Sequence, residues 1–214
     1  MCSKPDFDRA QNEATKLLLR QNLNSLFFDI KTFNFDRKIH IDSVQNYAHI
    51  LGRPVSDFTC DEFSGCCLIP HPRCNLVLYD DEETDERRKH WGIVHEVGHV
   101  YMDHEEDGEK EEIEAHFFAA QLVAPEIILW EMCRKKGKLY EIDLFNHFNI
   151  SHKAAAKRIK TLERRCCYNN AVIDQQLLSK LSHILDIELA HGSPGFPFSW
   201  TSEIGGPRRE SIAY

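Results

Sequence analysis

Apolar residues recur at helical spacing through most of this chain. Phe7, Ala10, Ala14, Leu17 and Leu18 fall on one face, and the periodicity predicts an amphipathic helix over residues 7–28. Val44, Tyr47, Ala48 and Leu51 make a second stripe near residues 43–51. Asp42 or Ser43 can cap its start, and Gly52 with Pro54 stops it. Two short apolar runs follow, Cys66-Cys67-Leu68-Ile69 and Asn75-Leu76-Val77-Leu78-Tyr79, with Pro70-His71-Pro72-Arg73 between them. That punctuation predicts a strand pair joined by a turn. A long helix is expected from Thr84 to His104 and another from Glu111 to Val123, ending near Pro125. Pro125 suits the first turn of the next helix, and Gly137 the position just past its end. Further helices are expected near residues 139–148, 151–165 (with Ser151 as N-cap) and 174–189. From His191 onward Gly, Pro and Ser interrupt every pattern and predict a flexible tail, in which Phe196, Phe198 and Trp200 alternate as a candidate docking element.

These elements predict an α+β fold, mostly helical with a small β-sheet and a helical C-terminal subdomain. The expected division is residues 1–125, 126–166 and 167–214, the last being a helix and tail.

Composition narrows the class. With 42% hydrophobic and 28% charged residues the chain reads as globular, not disordered. No run approaches the roughly 20 apolar residues that cross a bilayer. The start, Met-Cys-Ser-Lys-Pro-Asp, has no apolar segment of a secretory signal. Eight cysteines, including the adjacent pairs Cys66-Cys67 and Cys166-Cys167, are then expected to be reduced thiols of a cytoplasmic protein. A net charge of −8 argues against general nucleic-acid binding. The charge is uneven: Asp80–Glu114 holds fifteen acids against four bases, Arg134–Arg165 ten bases against three acids. The basic stretch is either a solvated face or a surface that meets an acidic or nucleic-acid-bound partner.

The chemistry concentrates in His95-Glu96-Val97-Gly98-His99. Helix geometry puts positions i and i+4 on one face, so His95 and His99 can share one Zn²⁺. Glu96 is offset by one position and can reach an activated water as general base without becoming a ligand. Trp91, Val94, Gly98 and Met102 continue the stripe that carries His95, so the histidines lie on or beside a buried face. Gly98 costs about 1 kcal/mol in mid-helix relative to Ala, which suggests close packing or metal access there. A third ligand is needed. The continuation with Gly at 102 and His at 105 is excluded by Met102 and Glu105. Glu112 shares a helix face with Ala115, Ala119 and Leu122; Glu111 is a close rival, and Glu114 lies on a different face.

This pattern, with Glu112-x-Glu114-Ala115-x-Phe117-Phe118-Ala119-Ala120-x-Leu122-Val123-x-Pro125 and the later Phe148-Asn149-Ile150-Ser151-x-x-Ala154-Ala155-x-x-Arg158-Ile159-x-x-Leu162, resembles the ImmA/IrrE family of zinc metallopeptidases. The resemblance spans roughly residues 42–165. It implies a gluzincin-like core holding one zinc per chain on His95, His99 and Glu112, with Glu96 as base. It also implies hydrolysis of a partner regulator, a helix-turn-helix repressor of a mobile element or a stress regulon. His116 departs from the Asn or Asp usual at that place, where the residue can orient a ligand histidine.

Other constellations have plainer readings. Cys60, Cys66, Cys67 and Cys74 with His71 lack clean zinc-knuckle spacing and read as core thiols. Tyr101 and His104 are candidate donors to the oxyanion formed in peptide hydrolysis. Asn75–Tyr79 is a candidate exposed edge for a substrate added as a strand. The rival to a peptidase is a regulatory module, DNA-binding or antitoxin-like, that keeps the zinc fold without turnover. Intact Glu96 argues against it and the basic 134–165 stretch for it, although direct nucleic-acid binding is not expected of so acidic a protein.

Overall fold

The computed structural model describes residues 4–59, 65–70, 73–106, 108–164 and 171–191. Helix α1 (Phe7–Arg20) begins at Asp6, whose carboxylate accepts the Arg9 N–H at 2.9 Å. It ends at Arg20 and not at residue 28. Gln21 is the reason: its side-chain amide donates to the carbonyls of Leu17 (2.9 Å) and Asn34 (3.1 Å) and accepts the Asn34 N–H (2.9 Å). One side chain therefore closes the helix and pins the returning chain. Leu26, Phe28, Ile30 and Phe33 are buried from the stretch that follows, in which a single short 3-10 turn (Ile30–Thr32) is the regular structure.

Three strands follow: β1 (Ile39–Ser43), β2 (Cys66–Ile69) and β3 (Asn75–Tyr79), in the order β1-β3-β2. β2 and β3 form the expected antiparallel pair, with Cys66 opposite Tyr79. β1 lies parallel to β3, Ile39 opposite Asn75. This third strand overturns the exposed-edge role expected for Asn75–Tyr79, because β3 is the middle strand and both its sides are hydrogen-bonded. Helix α2 (Val44–Leu51) starts where β1 ends, Ser43 Oγ accepting the Asn46 N–H at 3.1 Å.

Helix α3 (Glu86–Met102) is capped by Asp85, which accepts the N–H groups of Arg87 and Arg88. It stops at Asp103 in the left-handed conformation, φ 57°. Helix α4 (Glu109–Val123) packs directly on it. The contact is closest at Gly98, where a Cβ would lie 3.1 Å from both the Ala115 carbonyl oxygen and Phe118 Cδ1. A backbone oxygen cannot move aside as a flexible side chain can. Gly98→Ala should therefore destabilise by about 1–2 kcal/mol in denaturant titrations, overpacking outweighing the gain in helix propensity. A rise in the unfolding midpoint would show instead that the two helices can separate freely.

Four helices complete the described chain: α5 (Glu126–Lys136), α6 (Glu141–Phe148), α7 (His152–Arg164) and α8 (Val172–His191). Gly137 ends α5 at φ 77°, and Ser151 Oγ accepts the Ala154 N–H at 3.2 Å. α8 packs on α1 and α5. Asp174, 1% exposed, accepts Thr15 Oγ1 (3.1 Å) and Gln11 Nε2 (3.0 Å), and Leu177, Leu181 and Leu185 join the core that α3 and α4 share. The architecture is α+β, mostly helical with a small sheet. The tail expected after His191, with its alternating aromatics, lies outside the described residues, as do Cys60, His71 and the pair Cys166-Cys167. No single helix among the described residues is long and apolar enough to cross a membrane.

Candidate metal centre

The close approach at Gly98 sets the site. Ala115 touches Gly98, and Glu112 sits one turn earlier on α4, facing the histidines on α3. His95 Nε2 is 3.3 Å from Glu112 Oε2, His99 Nε2 is 3.3 Å from Glu112 Oε1, and the two Nε2 atoms are 3.2 Å apart. Ligands held at about 2.0–2.1 Å around a tetrahedral zinc are separated by about 3.3–3.4 Å. The donor triangle thus matches such an ion in size, and two imidazoles with one carboxylate match it in chemistry. Among the described residues no second group of His, Cys, Asp or Glu converges in this way.

Burial tunes the donors. His95 is pushed down to about 3, first by desolvation and then by the neighbouring His116, His99 and His104. Its imidazole is therefore neutral at physiological pH, the form that can ligate. Glu112 keeps a side chain 47% exposed, whereas those of His95 and His99 are 12% and 5% exposed. The site is open on the Glu112 side and closed behind the imidazoles.

Of the three glutamates left open by spacing, Glu112 is the one beside both histidines. The Glu111 carboxylate lies against Gly108 at the start of α4. Glu114, on a different face as expected, is 3% exposed and so is not a solvated carboxylate. Its Oε1 accepts the Asp6 N–H at 2.6 Å and its Oε2 lies 2.9 Å from His104 Nε2. Nothing local announces this: Asp6 is 108 positions away.

Glu96 follows His95 on α3 and is half-buried. It faces the sheet closely enough to help burial push the Cys66 thiol up to about 12. Cys66 is accordingly an unreactive core thiol. Tyr101 is not available as an oxyanion donor, since it is 2% exposed and its hydroxyl donates to Asp36 at 2.6 Å. His104 is also committed, its Nδ1 lying 3.1 Å from His99 Nδ1. His116 sits between Trp91, on which it stacks, and His95, ring centroids 4.4 Å apart. It supplies packing where a hydrogen bond was expected: His95 Nδ1 is buried with no hydrogen-bond partner among protein atoms.

Residues 67–160 match the sequence model of the Peptidase_M78 family, described as the IrrE N-terminal-like domain. The match contains α3 to α6, all three donors and Glu96. Over this segment the chain is similar to the ImmA/IrrE family of peptidases. No curated protein and no solved structure matches the chain significantly.

Proposed function

We propose that this protein is a zinc-dependent endopeptidase that cuts a partner regulator, a helix-turn-helix repressor of a mobile element or stress regulon. The observation that carries the reading is the 3.2–3.3 Å triangle of His95, His99 and Glu112 beside Glu96, within a domain that matches a peptidase family. A bound zinc ion would supply Lewis-acid polarisation of the scissile carbonyl and of the attacking water. His95 and His99 would hold the ion on the side of α3 that faces Glu112 of α4. Glu96 takes a proton from water and passes it to the leaving amine nitrogen. With β3 enclosed, β1 and β2 are the two edges that substrate could extend, and β2 is the one against α3, its Cys66 packing on Gly92. A mainly apolar cavity of ≈ 290 Å³, lined by Trp91, His116, Phe117, Ala120 and Ile150, lies beside the centre and has room for an apolar substrate side chain.

The basic stretch is better suited to docking than to reading DNA. α6 and α7, joined across residues 149–151, have the outline of a helix-turn-helix. Arg158, however, is 5% exposed and donates to the Ala124 carbonyl (2.9 and 3.1 Å) and to Gln121 Oε1 (2.9 Å). It fastens α7 to the α4–α5 link. Lys153, Lys157 and Lys160 remain exposed along α7 and offer a face for an acidic partner.

The test is co-expression with helix-turn-helix repressors encoded nearby, with fragments identified by mass spectrometry. Cleavage at one site is expected. Reversing the charge at Lys153, Lys157 and Lys160 should slow capture by roughly 10-fold or more at low salt while zinc content stays unchanged. Tight DNA binding by the zinc-loaded wild type, with no cleavage of any repressor, would replace this reading with the regulatory module.

A further inference from the structure

The metal centre is joined to the N-terminal segment by an unbroken line of hydrogen-bonding groups: the buried side chains of His99, His104 and Glu114, and then the backbone N–H of Asp6. We infer that His104 is a positioning residue for zinc, fixing His99 through a hydrogen bond whose direction Glu114 and the Asp6 N–H enforce. The inference rests on the zinc reading above and adds an outer layer that the ligand set does not contain.

The protons can be followed atom by atom. His99 turns Nε2 toward Glu112 and His95, so Nε2 is the ligating atom and the proton resides on Nδ1. The His99 Nδ1–H has His104 Nδ1 at 3.1 Å, which must then accept. A neutral His104 accepting at Nδ1 carries its own proton on Nε2, and that atom lies 2.9 Å from Glu114 Oε2. Glu114 Oε1 accepts the Asp6 N–H at 2.6 Å, and Lys110 Nζ lies 3.5 Å from the same oxygen. Every donor meets an acceptor along the line. The side chains of His99, His104 and Glu114 are 5%, 6% and 3% exposed, so water is a poor substitute for any of them.

The backbone places His104 deliberately. It follows Asp103, whose left-handed conformation turns the chain back under α3, and its own N–H donates to the His99 carbonyl at 3.1 Å. Asp103 pairs with both Arg9 and Arg37. Arg37 also donates to the carbonyls of Val100 (3.0 Å) and Tyr101 (3.2 Å). The end of α3 and the start of α1 are therefore clamped together on either side of His104. His95 has no equivalent, since its Nδ1 finds no protein partner. His99 is the imidazole the protein orients.

The test measures zinc affinity of the full chain by competition with a chromogenic chelator, together with the visible spectrum of the cobalt(II)-loaded protein. His104→Leu should weaken zinc binding roughly 10- to 100-fold and alter the cobalt spectrum. His104→Asn should recover most of that loss, because Asn Oδ1 can accept where His Nδ1 does. Asp6→Pro removes the N–H at the far end of the line and should weaken zinc several-fold; Asp6→Ala, which keeps the N–H and loses only the helix cap, should not. Wild-type affinity in His104→Leu, or an equal loss in His104→Asn and His104→Leu, overturns the inference. So does a lowered melting temperature of metal-free His104→Leu with unchanged zinc affinity, which assigns the residue to packing. A wild type that takes up no zinc removes the parent reading, and the inference with it.

Discussion

Glu96→Gln should keep one equivalent of zinc and lose nearly all peptide hydrolysis. The amide is close to isosteric with the carboxylate, and none of the three donor atoms belongs to residue 96. Metal affinity, fold and substrate surface should therefore persist. What disappears is the group that takes a proton from water and returns it to the leaving amine, a contribution of roughly 10²–10⁴-fold. Single-turnover cleavage of a captured repressor should slow by about that factor, and the uncut complex should become isolable by size-exclusion chromatography. The split between binding and turnover is the informative part. Equal cutting by wild type and variant points to a contaminating protease. Loss of both zinc and cutting gives Glu96 a structural role in place of the base.

The convergence of His95 and His99 on one helix face was legible in the sequence because it depends on local geometry. His95 and His99 are one helical turn apart by spacing alone, and the apolar stripe through Val94, Gly98 and Met102 told which side of the helix is buried. The mid-helix glycine predicted a close approach, and the Ala115 carbonyl is what approaches. Glu112 was harder. Its choice over Glu111 rests on the rotation of α4 against α3, a tertiary quantity that the Gly98–Ala115 contact fixes.

What stayed hidden depends on partners distant in sequence. The burial of Glu114 had no local signal, since its hydrogen-bond donors are the backbone of Asp6 and a histidine in the loop after α3. Tyr101 looked like a site residue because it is close to His99 in sequence, yet its hydroxyl points to Asp36, 65 positions away. β1 carried a usable signal in the alternation Ile39-His40-Ile41-Asp42, but four residues flanked by Arg37, Lys38 and Ser43 give a short pattern. Missing it left β3 with a free edge. The overlong first helix has a similar cause: Leu23 and Leu26 extend the apolar periodicity, while Gln21 closes the helix through a contact with Asn34.

Removing the metal should loosen the contact between α3 and α4 and should do so through the same three residues. On the proposed reading zinc should bind the folded chain, where the two helices bring the donors together, and scarcely at all an unfolded chain that scatters them. Free zinc at 1,000 times its dissociation constant then raises unfolding stability by about 4 kcal/mol. Dialysis against a chelator should lower the thermal midpoint by several degrees, and one equivalent of zinc should restore it. The double variant His95→Ala, His99→Ala should melt at the same temperature with or without zinc and should bind none. Glu112→Gln should retain some affinity, because a neutral amide oxygen is a weaker ligand held in the same place. Glu111→Gln should behave as wild type. Glu114→Gln should fall between those two, since it disturbs the hydrogen-bonded line behind His99 and leaves all three donors intact. Full zinc occupancy in the double histidine variant would sink the assignment of the centre to His95, His99 and Glu112.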